Sequence, residues 1–220
     1  MKVHLIKDKE VGKETFSEVV NLLQSIPGPI EFKFDAKDVV DFSEDDFVET
    51  AELEEAEFEV IKKIRFETKN FSSPVHSYRE NPRASKTFSF NIRPLKIFSF
   101  PIFRRSTKWS TLFKKCNNYR DNNSIPNDEF VILLTEVSNT NNWFASLDEK
   151  LPFNGFIHTA DWNHFIKCQD SFPIAYEVIA LILQKHLFNS YSEIKESAHI
   201  NPIGCINDLC LEKKDIVLKL

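Results

Sequence analysis

The stretch SFPIAYEVIALILQKHLF, residues 171–188, carries the starting signals of a helix followed by a nearly continuous run of apolar residues. Ser171 is a residue type that caps helices, and Pro173 is tolerated in a first turn because its missing N–H would have no partner there. Apolar side chains occupy more than one face of this helix, which predicts a buried helix at the centre of the fold, from about residue 173 to 188. They are Ile174, Val178, Leu181, Ile182 and Leu183.

Glu177 interrupts this apolar helix, and His186 follows nine residues later. A carboxylate in the interior needs a hydrogen-bond partner, a metal ion or a proton of its own, because burial of an isolated charge is costly. Glu177 is therefore a candidate functional residue. An open, polar cleft around it would favour activity, and a filled one would favour a scaffold.

The segments that precede this helix predict alternating strands and helices. VHLI (3–6) and PIEFKF (29–34) are typical of strands, and residues 14–24 between them form an amphipathic helix pattern with its apolar residues on one face. STKWSTLFKKCNNY (106–119) predicts another helix. The apolar residues of that first helix are Phe16, Val19, Val20 and Leu23.

Two more strands are expected before the central helix. The continuous apolar run in EFVILLTE (129–136) predicts a strand covered on both faces, and GFIHTADW (155–162) is typical of an exposed or edge strand. No repeat or low-complexity linker divides the chain. We therefore expect one α/β (α+β) domain over residues 1–220, with a mixed twisted sheet against the central helix.

Composition narrows the functional classes. The chain has 220 residues, 42% hydrophobic and 28% charged, as expected for a globular domain. It has only four Gly and neither G-x-x-x-x-G-K-[ST] nor G-x-G-x-x-G, which argues against nucleotide-binding classes built on such loops. Its longest nearly apolar run, about twelve residues, is too short to cross a bilayer, so no membrane partner is expected. With no secretory signal pattern at the N-terminus, we expect a cytoplasmic protein with reduced cysteines.

Charge is unevenly distributed along the chain. Residues 41–59 hold ten carboxylates and no Lys or Arg, and residues 81–120 hold ten Lys or Arg and no carboxylate. We expect the acidic and the basic segment to be insertions in the domain. They would lie either near each other or on separate solvated faces. The alternating Phe residues of the second segment would also suit stacking in a single-strand binder, and equally two half-buried strands. The candidate contacts to nucleic acid or a partner are Arg83, Lys86, Arg93, Lys96, Arg104 and Arg105.

The order of these elements, the loop with NWF (142–144) and the tail from residue 199 resemble the archaemetzincin-type zinc metallopeptidases. The active-site helix of metzincins carries H-E-x-x-H-x-x-G-x-x-H, in which the His residues bind zinc and the Glu is the general base. In the tail, Cys205, Ile206 and Asn207 stand where this family has Cys-Met-Asn, and the later C-x-x-C that closes a second, structural zinc site is absent.

The resemblance implies a zincin-like scaffold with an incomplete catalytic set. The resemblance makes Glu177 the candidate catalytic residue, because it aligns with the Glu of the motif. The first two His positions of the motif then fall on Tyr176 and Ala180, which cannot supply the imidazoles of a zinc peptidase. Leu183 replaces the Gly, so the helix should run on and carry His186 past its ligand position. We therefore expect a non-catalytic protein- or peptide-binding or regulatory module in the bacterial cytosol, in which strand 155–162 could accept an extended peptide.

A metal-dependent hydrolase with rearranged zinc ligands is a second hypothesis. His199, Cys205 and Cys210 offer imidazole and thiolate donors in one irregular segment, and His186 or Cys168 could complete a structural zinc site. The alternative interpretation is that these cysteines are small buried hydrophobic residues. A Cys205–His199 nucleophile pair is conceivable, although neither sequence neighbour of Cys205 is a cation that would activate it.

Two further possibilities complete the functional hypotheses. His158, Asp161 and His164 could bind a metal only if a bulge brought them together, because residues three apart on a strand point to opposite faces. The third functional hypothesis is a nucleic-acid-associated subunit of a defence or signalling system that acts through residues 81–120.

Overall fold

The computed structural model describes residues 1–25, 27–48, 106–199, 202–208, 210 and 213–218. Several expectations fall outside these residues: the acidic segment beyond residue 48, the Phe-rich strands of the basic segment, and six candidate contact residues. The six are Arg83, Lys86, Arg93, Lys96, Arg104 and Arg105.

The described chain alternates strands and helices. The strands are β1 (Lys2–Asp8), β2 (Glu31–Val40), β3 (Phe47–Val48), β4 (Ser106–Thr107), β5 (Phe130–Thr135), β6 (Ser138–Asn139), β7 (Ala145–Leu147) and β8 (Asn154–His158). The α-helices are α1 (Lys13–Ser25), α2 (Trp109–Asn122), α3 (Trp162–Phe165), α4 (Ser171–Leu187) and α5 (Tyr191–Glu196). Short 3-10 turns cover Glu44–Asp46 and Lys213–Leu218.

A five-stranded mixed sheet organises the molecule. Its strand order is β2-β1-β5-β8-β7, in which β1, β2, β5 and β8 are parallel and β7 runs antiparallel to β8. A small second sheet has the order β3-β4-β6. The predicted β-α-β opening is present as β1, α1 and β2, and the mixed α and β architecture agrees with the α+β class.

Helices cover both faces of the large sheet. On one face α1 and α4 pack together over apolar side chains such as Leu5 and Ile132, and on the other face α2 packs over Ile6 and Leu133. All six residues of β5 are buried, which confirms that this strand is covered on both sides. The predicted apolar face of α1 is buried as well: Phe16, Val19, Val20 and Leu23.

The prediction of an exposed or edge strand at residues 155–162 is wrong. Strand β8 lies between β5 and β7, and its first four residues are buried. The strand ends at His158, so the polar residues that gave the segment its exposed character belong to the loop beyond it. Among the described strands, the outer ones of this sheet are β2 and β7. Strand addition cannot take place at β8, which is paired on both sides.

Helix α4 is the predicted central helix, with small differences at its start and surface. It spans Ser171–Leu187, and the residue before its first turn is Asp170 rather than Ser171. Ile174, Val178, Leu181 and Ile182 are buried, but Leu183 is 40% exposed. The sheet, α1 and the C-terminal segment, by which we mean the described residues from His199 onward, cover most of α4. One stripe of the helix is left in solvent.

The described end of the basic segment belongs to the core architecture. Residues 109–120 form most of α2, and Arg120 within it is buried. The guanidinium of Arg120 donates to the carbonyl oxygens of Pro126 and Glu129 and to Asn154 Oδ1. Lys115 Nζ lies 2.7 Å from Asp46 Oδ2, so the described parts of the acidic and basic segments are joined by an ion pair.

Candidate functional site

Glu177 lies on a covered face of α4. The residue is only 5% exposed. Gln184, two helical turns further along, shares this face and donates from Nε2 to Asn207 Oδ1 at 3.2 Å. Because Asn207 belongs to the C-terminal segment, that segment packs against this face of α4 near Gln184.

The two positions that would hold zinc-binding His residues carry other side chains. Ala180 is buried, with 2% exposure. Burial raises the pKa of the Tyr176 phenol to about 12, and the nearby acidic groups, Glu177 first among them, add to this effect. Tyr176 is therefore a neutral phenol at physiological pH and a poor zinc ligand. Cys210, Asp208 and Cys205 are the other acidic groups near Tyr176, which places the C-terminal segment against this side of α4.

His186 lies away from the other predicted metal ligands. Helix α4 continues without a break through Leu183 to Leu187, as the missing Gly predicts. The His186 side chain is exposed, its Nε2 lies 2.9 Å from Met1 Sδ, and its ring centroid is 6.0 Å from that of Phe130. The structure thus places His186 beside the N-terminus and not with His199.

Three side chains of the C-terminal segment come together instead. One potential ligand atom from each of His199, Cys205 and Asp208 lies within 4.8 Å of the other two. His199 Nδ1 is 3.1 Å from Asp208 Oδ1, and the two residues also form an isolated parallel bridge. The His199 side chain is 43% exposed and that of Asp208 is fully buried, so the group opens to solvent through the imidazole.

Asp208 is held in place by the backbone of the loop before it. Its Oδ2 accepts hydrogen bonds from the N–H groups of Ile203, Gly204 and Cys205 at 2.7 to 2.9 Å. Gly204 has a φ of 87°, a conformation that favours glycine, and this lets consecutive N–H groups converge on one oxygen. Burial opposes ionisation of Asp208, but these N–H groups and His199 outweigh it and lower the pKa of the carboxyl.

This group offers the donors of a metal site. Imidazole nitrogen, thiolate sulfur and carboxylate oxygen together suit zinc and related divalent cations. The 3.1 Å between His199 Nδ1 and Asp208 Oδ1 is close to the separation of about 3.3 Å expected for two ligands of one tetrahedral zinc. The structure thus brings together two of the predicted ligands, His199 and Cys205, and adds Asp208. The Cys210 thiol is not part of the group, although its N–H donates to the Asp208 carbonyl.

Asp208 was not predicted as a ligand, because only the His and Cys residues of this segment were considered as metal ligands. The signal was present three residues after Cys205: an Asp that follows Gly by four positions is well placed to accept from the turn N–H groups.

A second polar cluster closes the end of β8. Lys213 Nζ donates to His158 Nδ1 at 3.1 Å and to the Ala160 carbonyl, and it lies 4.5 Å from the centre of the Trp162 ring. Burial lowers the pKa of Lys213 to about 8, although Asp161 and Asp170 oppose this shift. This cluster anchors the C-terminal 3-10 turn.

The residues of the predicted HTADWNH cluster do not converge on one point. His158 Nε2 donates to the Glu136 carbonyl at 3.2 Å. His164 Nδ1 instead lies 3.5 Å from Asp161 Oδ1, in an exposed pair. Asp161 and His164 therefore form one pair while His158 has other partners, and the three side chains do not meet at one point, as expected.

Comparison with known proteins gives no relative for this chain: no family model matches it, and no significant match was found among curated proteins or solved structures. In the described part of the chain, no helix has both the length and the apolar character needed to cross a membrane.

Proposed function

We propose that this chain is a degenerate metallopeptidase-like scaffold of the bacterial cytosol that binds a protein or peptide partner and does not cleave it. The observation that carries the proposal is the setting of Glu177. Its carboxylate lies on a covered face of α4, with Tyr176 and Ala180 in the positions of the missing imidazoles and the C-terminal segment packed alongside. Among the described residues, this turn of α4 does not itself supply the imidazole ligands that zinc-dependent hydrolysis requires.

The element order supports the scaffold part of the proposal. The motif-bearing elements follow one another as the resemblance to archaemetzincins implies: β1, α1 and β2, then α2, buried β5, the loop with NWF, β8 and the central helix α4. On this proposal the elements form one zincin-like domain. Strand β8, which was the expected peptide site, is inside the sheet, so the partner must bind elsewhere.

Selection from a displayed library of random dodecapeptides on the immobilised protein tests the binding role. We expect a set of enriched peptides that bind reversibly and are recovered uncleaved. Glu177→Gln should bind them with the same affinity as the wild type, because that carboxylate takes no part in binding. Failure to enrich any peptide, or recovery of cleaved ones, would contradict the proposal.

A metal-dependent hydrolase with rearranged ligands is the second candidate, and one observation favours it. The group formed by His199, Cys205 and Asp208 offers three possible ligands, and catalytic zinc sites use three protein ligands together with a water or substrate. Tyr176 lies near the same group and is a neutral proton donor.

Cobalt titration separates the two candidates. The metal-site hypothesis predicts one equivalent of bound Co²⁺ with a thiolate charge-transfer band in the near ultraviolet, lost in Cys205→Ser and kept in Cys168→Ser. Cys168 is an exposed thiol outside the group, which makes it the matched control. Absence of the band in the wild type would remove this candidate, and a band without metal-dependent hydrolysis would leave a structural metal only.

A further inference from the structure

Strand β2 forms an outer edge of the large sheet. It pairs with β1, and no other described strand lies beyond it. In its first four residues Glu31, Lys33 and Phe34 are exposed, and Phe32 is half-buried. An accessible strand at a sheet edge presents a row of N–H and C=O groups that can pair with another strand.

The register shows which backbone groups point outward. The Glu31 N–H donates to the Met1 carbonyl at 2.9 Å, and Glu31 and Lys33 lie opposite Lys2 and His4 of β1. In a parallel ladder alternate residues bond to the same neighbour. The N–H and C=O groups of Phe32 therefore point away from β1, as do those of Ile30 and Phe34 on either side.

The side chains of this edge are complementary to a second copy of themselves. In an antiparallel pair centred on Phe32, Glu31 of each copy faces Lys33 of the other, and Phe32 faces Phe32. The same alignment places Ile30 opposite Phe34, and Phe34 has a ring that is 43% exposed. The outward-pointing residues Ile30, Phe32 and Phe34 are those that would exchange hydrogen bonds in this register.

Neighbouring registers are disfavoured by charge. Centring the pair on Glu31 or on Lys33 brings like charges directly opposite each other, which destabilises a strand pair. These two registers would use the same outward-pointing backbone groups, so the charges decide between the three. Of these three registers, only the one centred on Phe32 places Glu31 opposite Lys33.

We infer that β2 is a self-association edge, at which two copies of this chain join antiparallel strands about Phe32 and extend the sheet across a two-fold axis. A two-fold contact of this kind requires a self-complementary patch, and the Glu31–Lys33 pattern is one. The contact is a short strand pair with few side chains, so we expect a weak dimer, with a Kd between about 1 μM and 1 mM. The inference is independent of the proposed peptide-binding role.

Sedimentation of the full chain over a range of concentrations, with charge variants, tests this edge. Lys33→Glu places Glu31 opposite a carboxylate at both cross-strand positions and should weaken the dimer at least about ten-fold. The double variant Glu31→Lys with Lys33→Glu keeps the net charge and swaps the pair, so it should restore association. Lys13→Glu, at an exposed site in α1, is the control for net charge alone.

The outcomes are decisive in either direction. A dimer that Lys33→Glu weakens and the swap restores supports the edge. A monomer over the whole concentration range, a dimer indifferent to Lys33→Glu, or equal weakening by Lys13→Glu overturns it. Circular dichroism of each variant verifies the fold, and amide exchange of the wild type should show Phe32 and Phe34 protected only at concentrations where the dimer forms.

Discussion

Lys213 couples the protonation of one side chain to the stability of the fold. Its pKa is about 8 in the folded chain, because of burial, and 10.5 in a free lysine. Between these values the unfolded chain binds more protons than the folded chain, so the free energy of unfolding should rise as the pH increases from about 8 to 10.5. Urea unfolding across this range measures the slope, and Lys213→Met should flatten it. The same slope in both proteins would assign the effect to other groups.

Asp208 should contribute to stability through the hydrogen bonds that it accepts from three backbone N–H groups. Asp208→Asn keeps the shape but loses the charge, and it should lower the free energy of unfolding by about 2 kcal/mol. Because the folded pKa of Asp208 is lowered, its contribution is present at neutral pH and is lost as the pH falls through that pKa. Asp128→Asn, at an exposed site, is the matched control in thermal unfolding. Equal effects of both substitutions would contradict this role.

The sequence predicts some of these residue environments and not others. Burial of Glu177 follows from the apolar helix around it. The Asp208 interactions do not follow, because they depend on a loop whose turn is set by Gly204. The position of His186 beside Met1 depends on contacts between residues far apart in the chain.

At the scale of elements, the contact between β8 and α4 depends on the absence of a side chain at Gly155. A Cβ built there would lie 3.1 Å from Leu181 Cδ1 and 3.4 Å from the Ser146 carbonyl oxygen. Gly155→Ala should therefore displace α4 slightly and cost about 1 to 3 kcal/mol. Gly28→Ala meets no atom within 4 Å and serves as the control. Denaturant unfolding compares the two, and a neutral Gly155→Ala would show that Leu181 repacks freely.

Periodicity predicts which elements exist better than it predicts their neighbours. The helices α1, α2 and α4 and the buried strand β5 follow from apolar patterns that each element carries by itself. The interior position of β8 could not be predicted from periodicity. It depends on β7, which pairs with the outer side of β8 and is only three residues long, too short to show an apolar pattern of its own.

At the scale of the whole molecule, the proposed function depends on the strand order and on the packing of the C-terminal segment. Pattern analysis predicts a mixed sheet and a central helix, but it cannot predict which chain segment fills the side of α4 that carries Tyr176. That placement depends on contacts such as Gln184 to Asn207 and Asn207 to the Ile194 carbonyl. These contacts hold the C-terminal segment against α4.

Hydrolysis of a fluorogenic peptide library with saturating zinc tests the central claim most directly. We expect the wild type and Glu177→Gln to be equally inactive, since Glu177 is covered and Tyr176 and Ala180 stand where the motif has its zinc-binding His residues. Zinc-dependent turnover that disappears in Glu177→Gln, with the variant still folded, would contradict it and restore this helix as an active site.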